Sequence, residues 1–242
     1  MYSSLINFAS DLTIPDTSGV FVKICGITHV EDAAHALSCG ADALGFVAYQ
    51  KSRRYIAPHI VQKIVAELHS EFSVARFVGV FVNEEPEVII RYILAGVNIV
   101  QLHGEETQEA IASVVQRVNV MRGRGTPPPL TFWKAIRPRS ISELERYTGY
   151  PADDFLIDSF VRGEYGGCGI TGDWSMAKSA VRLLRKPVIL AGGLNPGNVA
   201  EAIQFVRPFG VDVSSGVEND SGRKDHALVE RFIAAARGSE AK

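Results

Sequence analysis

Eight times along this chain a short run of β-branched and apolar residues gives way to a stretch with helical spacing, and this alternation narrows the fold more than any other feature. Strands are expected at Val20 to Gly26, Asp42 to Val47, Arg76 to Val82, Val97 to Leu102, Thr131 to Ile136, Phe155 to Ile157, Pro187 to Ala191 and Gly210 to Val213. Helices fill the gaps. One starts at Thr28, where Glu31 completes a capping box, and another at Ser140, with Glu143 in the same relation. Asn195 and Pro196 read as the N-cap and first position of a third. Eight such units in 242 residues fit a closed barrel better than an open sheet. The units share no sequence self-similarity, which argues against a solenoid. Arg122 to Leu130, rich in Gly and Pro, reads as a surface loop between units four and five. The expectation is an α/β protein, a single (β/α)8 TIM barrel over residues 20–242, with residues 1–19 a loosely held extension.

Composition bounds the function. With 46% hydrophobic residues and a formal net charge of -2, the chain can build a large core and has no electrostatic pull toward nucleic acid. Its basic groups (Lys51, Arg53, Arg54; Arg122, Arg124) form only short clusters. No apolar run approaches the roughly 20 residues of a membrane span. The first twenty residues lack a basic start and an apolar centre, so no secretory signal is expected. Cys25, Cys39 and Cys168 are sparse, odd in number and without metal spacing, which fits a reducing, cytoplasmic setting. The six histidines form no ligand motif, so no protein-held metal is expected.

Strand ends carry the candidate chemistry. In the first strand Phe21, Lys23 and Cys25 share one face, placing a charge and a thiol together. Cys25 and Asp158 end strands one and six, on opposite sides of a barrel mouth, where a thiolate and a carboxylic acid could serve a ligand as base and acid. Each has a plainer reading, a small buried hydrophobe for Cys25 and a helix cap for Asp158. Lys23 could lower the thiol pKa if close enough, and should pair with Asp212 on strand eight once the barrel closes. Gly192, Gly193, Ser214, Ser215 and Gly216, in the loops after strands seven and eight, read as a phosphate cradle or as tight turns. Arg54, after strand two, could take a carboxylate with two hydrogen bonds or be a surface arginine. Gln101 and His103 end strand four on one face, where His103 touches ligand or, more in keeping with its position, holds a neighbouring loop.

With those residues assembled, the chain resembles the phosphoribosylanthranilate isomerases, barrel enzymes of tryptophan biosynthesis. The resemblance runs through Lys-Ile-Cys-Gly-Ile-Thr at 23 to 28, Gly-Ala-Asp-Ala-Leu-Gly-Phe at 40 to 46 and Lys-Ser-Arg-Arg-Tyr at 51 to 55. It continues in Val-Gly-Val-Phe-Val-Asn at 78 to 83, Val-Gln-Leu-His-Gly at 100 to 104, Ala-Gly-Gly-Leu-Asn-Pro at 191 to 196 and Val-Asp-Val-Ser-Ser-Gly-Val-Glu at 211 to 218. It implies an Amadori rearrangement of N-(5-phosphoribosyl)anthranilate without a cofactor. Asp158 would protonate the ring oxygen, Cys25 would take the proton from the adjacent carbon, and Arg54 would hold the anthranilate carboxylate. The sequence departs from the family pattern at Gln50 and, more heavily, at Cys168, Ile170 and Gly172 after strand six, where a lysine is commonly found at Ile170. Losing that cation should weaken binding of an anionic ligand.

Two alternatives stay open, another phosphosugar isomerase and a non-catalytic phosphate-binding barrel, and turnover separates them from the first reading. The expected partner is a small-molecule substrate. Monomer and homodimer are equally compatible with the sequence.

Overall fold

The computed structural model describes residues 19–122, 130–158 and 174–238. The extension before residue 19, most of the Gly/Pro-rich loop and the loop holding Cys168, Ile170 and Gly172 lie outside them. The eight strands are β1 (Phe21–Cys25), β2 (Ala43–Val47), β3 (Arg76–Phe81), β4 (Ile99–Leu102), β5 (Thr131–Ile136), β6 (Asp154–Asp158), β7 (Val188–Ala191) and β8 (Gly210–Val213). All pair in parallel with their sequence neighbours, and β8 closes on β1 with Lys23 opposite Asp212. The helices are α1 (Val30–Ser38), α2 (Pro58–Leu68), α3 (Pro86–Leu94), α4 (Gln108–Arg122), α5 (Ile141–Glu145), α6 (Trp174–Leu183), α7 (Val199–Val206) and α8 (His226–Arg237), one after each strand. The expected barrel is the observed one.

Strand alternation divides the core in two. Val22, Ile24, Leu44, Phe46 and Phe155 point outward into the layer between sheet and helices, while Phe21, Val78, Ile99, Trp133 and Leu156 fill the barrel interior. Burying each such side chain stabilises the fold by roughly 1.5–3 kcal/mol. The outer layer is far the larger, so the interior can carry polar groups such as Lys23 and Gln101 without losing the fold. At the closing seam Arg237 of α8 donates to the Val20 carbonyl at 2.7 Å and pairs with Asp42 at 2.6 Å, tying the last helix to the first two strands.

Helix starts depart from the sequence reading in two places. The Thr28/Glu31 capping box does not form; α1 begins at Val30 after His29, and the Thr28 hydroxyl bonds His29 Nδ1 at 2.8 Å instead. Asn195 does not cap α7. Its side chain accepts from Gly197 N at 2.8 Å, a local turn that delays the helix to Val199. Ser140 does cap α5, accepting from Glu143 N.

A buried ion pair on the outer face of the barrel has no counterpart in the sequence reading. Lys134 on the outer face of β5 meets Glu106 at 2.8 Å, both side chains nearly free of solvent. Glu106 also accepts from the backbone N–H groups of Asn83 and Gly104. Burial opposes its charge, but these bonds outweigh that and hold its carboxyl below the ordinary range. The pair thereby anchors the loops after β3 and β4.

Candidate active site

Cys25, Gln101 and Asp158 share the inward face of their strands with Phe21, Ile99 and Leu156, and the polar groups around them fall into three sets. The first surrounds the thiol. Lys23 Nζ and Asp212 Oδ1 are 2.8 Å apart in the interior, as expected from the closure of the barrel. Lys23 Nζ and Cys25 Sγ converge over Gly45, where an added Cβ would stand 2.7 Å from Sγ and 3.1 Å from Nζ. Only glycine fits there. Burial works against the Lys23 charge, but Asp212 and the adjacent thiol more than compensate and hold the ammonium charged. The thiol does not follow the expectation of a lowered pKa. Burial pushes Cys25 up, the Asp212 charge adds to it, and Lys23 offsets only part.

The second set lies above β2 and β8. The side chain of Arg54 runs over Gly26, the residue after the thiol, where a Cβ would stand 2.5 Å from Arg54 Cδ. Its guanidinium grips Glu218 side-on, Nε to Oε1 at 2.6 Å and Nη2 to Oε2 at 2.8 Å. Arg53 and the buried Lys224 reach the same carboxylate at 2.6 and 2.8 Å. Burial opposes the Glu218 charge, yet Arg54 and Lys224 hold its carboxyl down at about 2. Burial lowers the Lys224 pKa, with Glu218 opposing. Beside them the Ser214 hydroxyl is buried without a hydrogen-bond partner among the described residues.

The third set gathers β4, β5 and β6. Asp158 Oδ2 receives Arg137 Nε at 2.8 Å and Nη2 at 2.6 Å, with His103 Nε2 at 3.5 Å. His103 Nε2 also faces Arg137 Nη2 at 3.0 Å, and Gln101 meets its Nδ1 at 2.8 Å. The Gln101 atom at that contact is the amide nitrogen Nε2, which donates, while its Oε1 is buried without a hydrogen-bond partner among the described residues. Burial raises the proton affinity of Asp158, but His103 and Arg137 win and hold its carboxyl below the usual value.

The loops after β7 and β8 form the remaining wall. Gly192 and Gly193 take positive φ (93 and 67°), and Gly216 lies so close that a Cβ would fall 1.9 Å from the Leu194 carbonyl. The two loops therefore pack as one surface, with Ser215 exposed at the start of a 3-10 turn, Ser215–Val217. Among the described residues no group of three or more His, Cys, Asp and Glu could hold a metal ion.

Three participants escaped the sequence reading. Arg137 directly follows β5, so the rule that picked Cys25 and Asp158 would have found it. Glu218 closes the last quoted motif but stands five residues beyond its strand. Lys224 follows a turn, and only the antiparallel bridge between Glu218 and Lys224 brings it back.

A closed eight-stranded barrel that collects a thiol, a carboxylate and several cations at the C-terminal ends of its strands has the construction of a barrel enzyme. The family model for N-(5'-phosphoribosyl)anthranilate (PRA) isomerase matches residues 22–235. The N-(5'-phosphoribosyl)anthranilate isomerase of Thermotoga petrophila is 45% identical over 220 residues, covering 90% of this chain and 99% of that protein. The crystal structure of phosphoribosyl anthranilate isomerase from Thermotoga maritima superposes with a TM-score of 0.76 at 43% identity, covering 90% of this chain and 99% of that one. A phosphoribosyl anthranilate isomerase in complex with reduced 1-(o-carboxyphenylamino)-1-deoxyribulose 5-phosphate gives a TM-score of 0.74 at 41% identity, with 90 and 99% covered. The chain belongs to the phosphoribosylanthranilate isomerase family, and as such is an intramolecular aldose–ketose isomerase.

Proposed function

We propose that the protein converts N-(5-phosphoribosyl)anthranilate to 1-(2-carboxyphenylamino)-1-deoxyribulose 5-phosphate, with Asp158 as general acid and Cys25 as general base. The observation that carries this reading is the placement of thiol and carboxylate at the ends of β1 and β6, with β7 and β8 between them around the closed barrel and cations beside each. Protonation of the furanose ring oxygen by Asp158 breaks its bond to C1 while the lone pair of the anthranilate nitrogen closes a C1=N bond, leaving a protonated imine. The Cys25 thiolate then removes the C2 proton, the electrons shift toward nitrogen, and the resulting enolamine takes a proton at C1 as its C2 hydroxyl becomes the ketone. Atoms balance without an external oxidant or cofactor.

The phosphate would sit on Gly192, Gly193, Ser214, Ser215 and Gly216, a surface built by the two loops that barrel enzymes commonly use for phosphate. The ring carboxylate would meet Arg54. Lys23, paired with Asp212, holds positive charge beside the thiolate as it forms.

The pKa directions add a consequence. The reactive form needs Asp158 protonated and Cys25 ionised, whereas the protein groups around the two favour the reverse. Catalysis then runs through a minor protonation state, with a bell-shaped pH profile whose limbs belong to the pair. The test is to supply purified protein with freshly generated N-(5-phosphoribosyl)anthranilate and follow its consumption by fluorescence. A folded protein that binds a product analogue and turns nothing over would be a phosphate-binding barrel instead.

A further inference from the structure

Arg54 is expected to hold a ligand carboxylate, yet it already holds one of the protein's own. Glu218 occupies its Nε and Nη2 side-on, and its side chain is only 2% exposed. There are two ways to read that contact. Glu218 could be a stand-in that a substrate carboxylate must evict, or a fixed strut that aims the guanidinium.

Three cations decide between them. Arg53, Arg54 and Lys224 all reach the Glu218 carboxylate within 2.8 Å, and Lys224 is itself buried and bonded to the Ser214 carbonyl at 3.1 Å. Evicting Glu218 from Arg54 would move a buried charge while leaving Lys224 behind, a costly exchange. Eviction is also unnecessary. A guanidinium has five N–H groups in a fixed fork, and the side-on grip uses one on Nε and one on Nη2. The end-on edge, one Nη1 hydrogen and the second on Nη2, makes no bond to any described residue and suits a second carboxylate.

We infer that Glu218, braced by Lys224, is a positioning residue that fixes Arg54 side-on so that its end-on edge receives the ring carboxylate of the substrate. The inference rests on the reading of Arg54 given above. Arginine is required because lysine has no second edge to offer. Glu218 therefore sets affinity for carboxylated ligands and leaves the proton transfers alone.

The test compares two probes, reduced 1-(2-carboxyphenylamino)-1-deoxyribulose 5-phosphate and its counterpart with a plain phenyl ring, bound to wild type, Arg54→Ala, Glu218→Gln and the double variant Glu218→Gln/Lys224→Met. The double variant leaves no buried lysine unpaired, so it reports even if the single variant folds poorly. We expect Glu218→Gln to weaken the carboxylated probe about ten- to a hundredfold, the size of a charge-assisted hydrogen bond, and to leave the phenyl probe unchanged. KM should rise while kcat stays near wild type. Unchanged or tighter binding of the carboxylated probe by both Glu218 variants would make Glu218 a competitor, overturning the inference with Arg54 still in its role. If Arg54→Ala fails to distinguish the two probes, the reading of Arg54 falls first and the inference falls with it.

Discussion

The Arg137 guanidinium lies 2.6 Å from Asp158 Oδ2, so the group proposed to give a proton rests as its conjugate base. Removing that cation should raise the proton affinity of Asp158. In Arg137→Met we expect the acidic limb of kcat/KM to move to higher pH and the plateau to rise by up to about tenfold per unit of pKa, because the protonated acid becomes more common. The pH profile of the variant beside wild type decides this. A limb that stays in place, or a plateau that falls with a raised KM, would assign Arg137 to ligand binding.

Cys25 presents the complementary expectation. Burial keeps the proton on sulfur, so its thiolate should form only above the ordinary thiol pKa of about 8.5. The difference in thiolate ultraviolet absorbance between wild type and Cys25→Ser, titrated with pH, isolates this one group. A step below about 8.5 would mean that Lys23 outweighs burial.

Lys23 and Asp212 form an ion pair with the lysine fully buried. Breaking such a pair from one side leaves an uncompensated charge, at a cost of roughly 3–5 kcal/mol. Asp212→Asn should therefore lower the urea midpoint strongly and the melting temperature by roughly 6–20 °C for a domain of this size. A loss under about 1 kcal/mol would show the interior to be wetter than its packing implies.

Asp154, at the opposite end of β6 from the mouth, should set a pH slope in stability. Burial and the neighbouring Asp153 charge push its carboxyl up to about 7, against about 3.9 in an unfolded chain. The folded protein then binds the extra proton, so stability is fully present below about pH 4, falls as pH rises through 7, and is level above. Asp154→Asn should melt higher than wild type at pH 8 and close to it at pH 4. Equal differences at both values would exclude Asp154 as the source.

The order of elements and the interior pairing were legible because both are periodic. Lys23 stands out as a charge in an apolar strand, and barrel closure leaves it one natural partner on β8. Lys134, in Thr-Phe-Trp-Lys-Ala-Ile, carries the same signal on the outer face of β5, but its partner Glu106 lies in a loop 28 residues earlier, where no periodicity points. The clamp on Arg54 was hidden for a related reason, since Glu218 is 164 residues away and meets it only across the mouth. Helix starts at Thr28 and Asn195 were misread because short polar side chains can satisfy a neighbour instead of capping, and sequence spacing does not say which bond wins. The direction of the Cys25 shift likewise depended on how deeply the thiol lies beside its lysine.

The central claim, that a thiol and a carboxylate at the ends of β1 and β6 exchange protons with the sugar, is tested most directly by turnover of N-(5-phosphoribosyl)anthranilate in Cys25→Ala and Asp158→Ala beside wild type. With circular dichroism confirming folded protein, each variant should lose about three orders of magnitude in kcat, as expected for a general acid or base. Either variant turning over within about tenfold of wild type would contradict the assignment and move the proton transfers to other groups in the mouth.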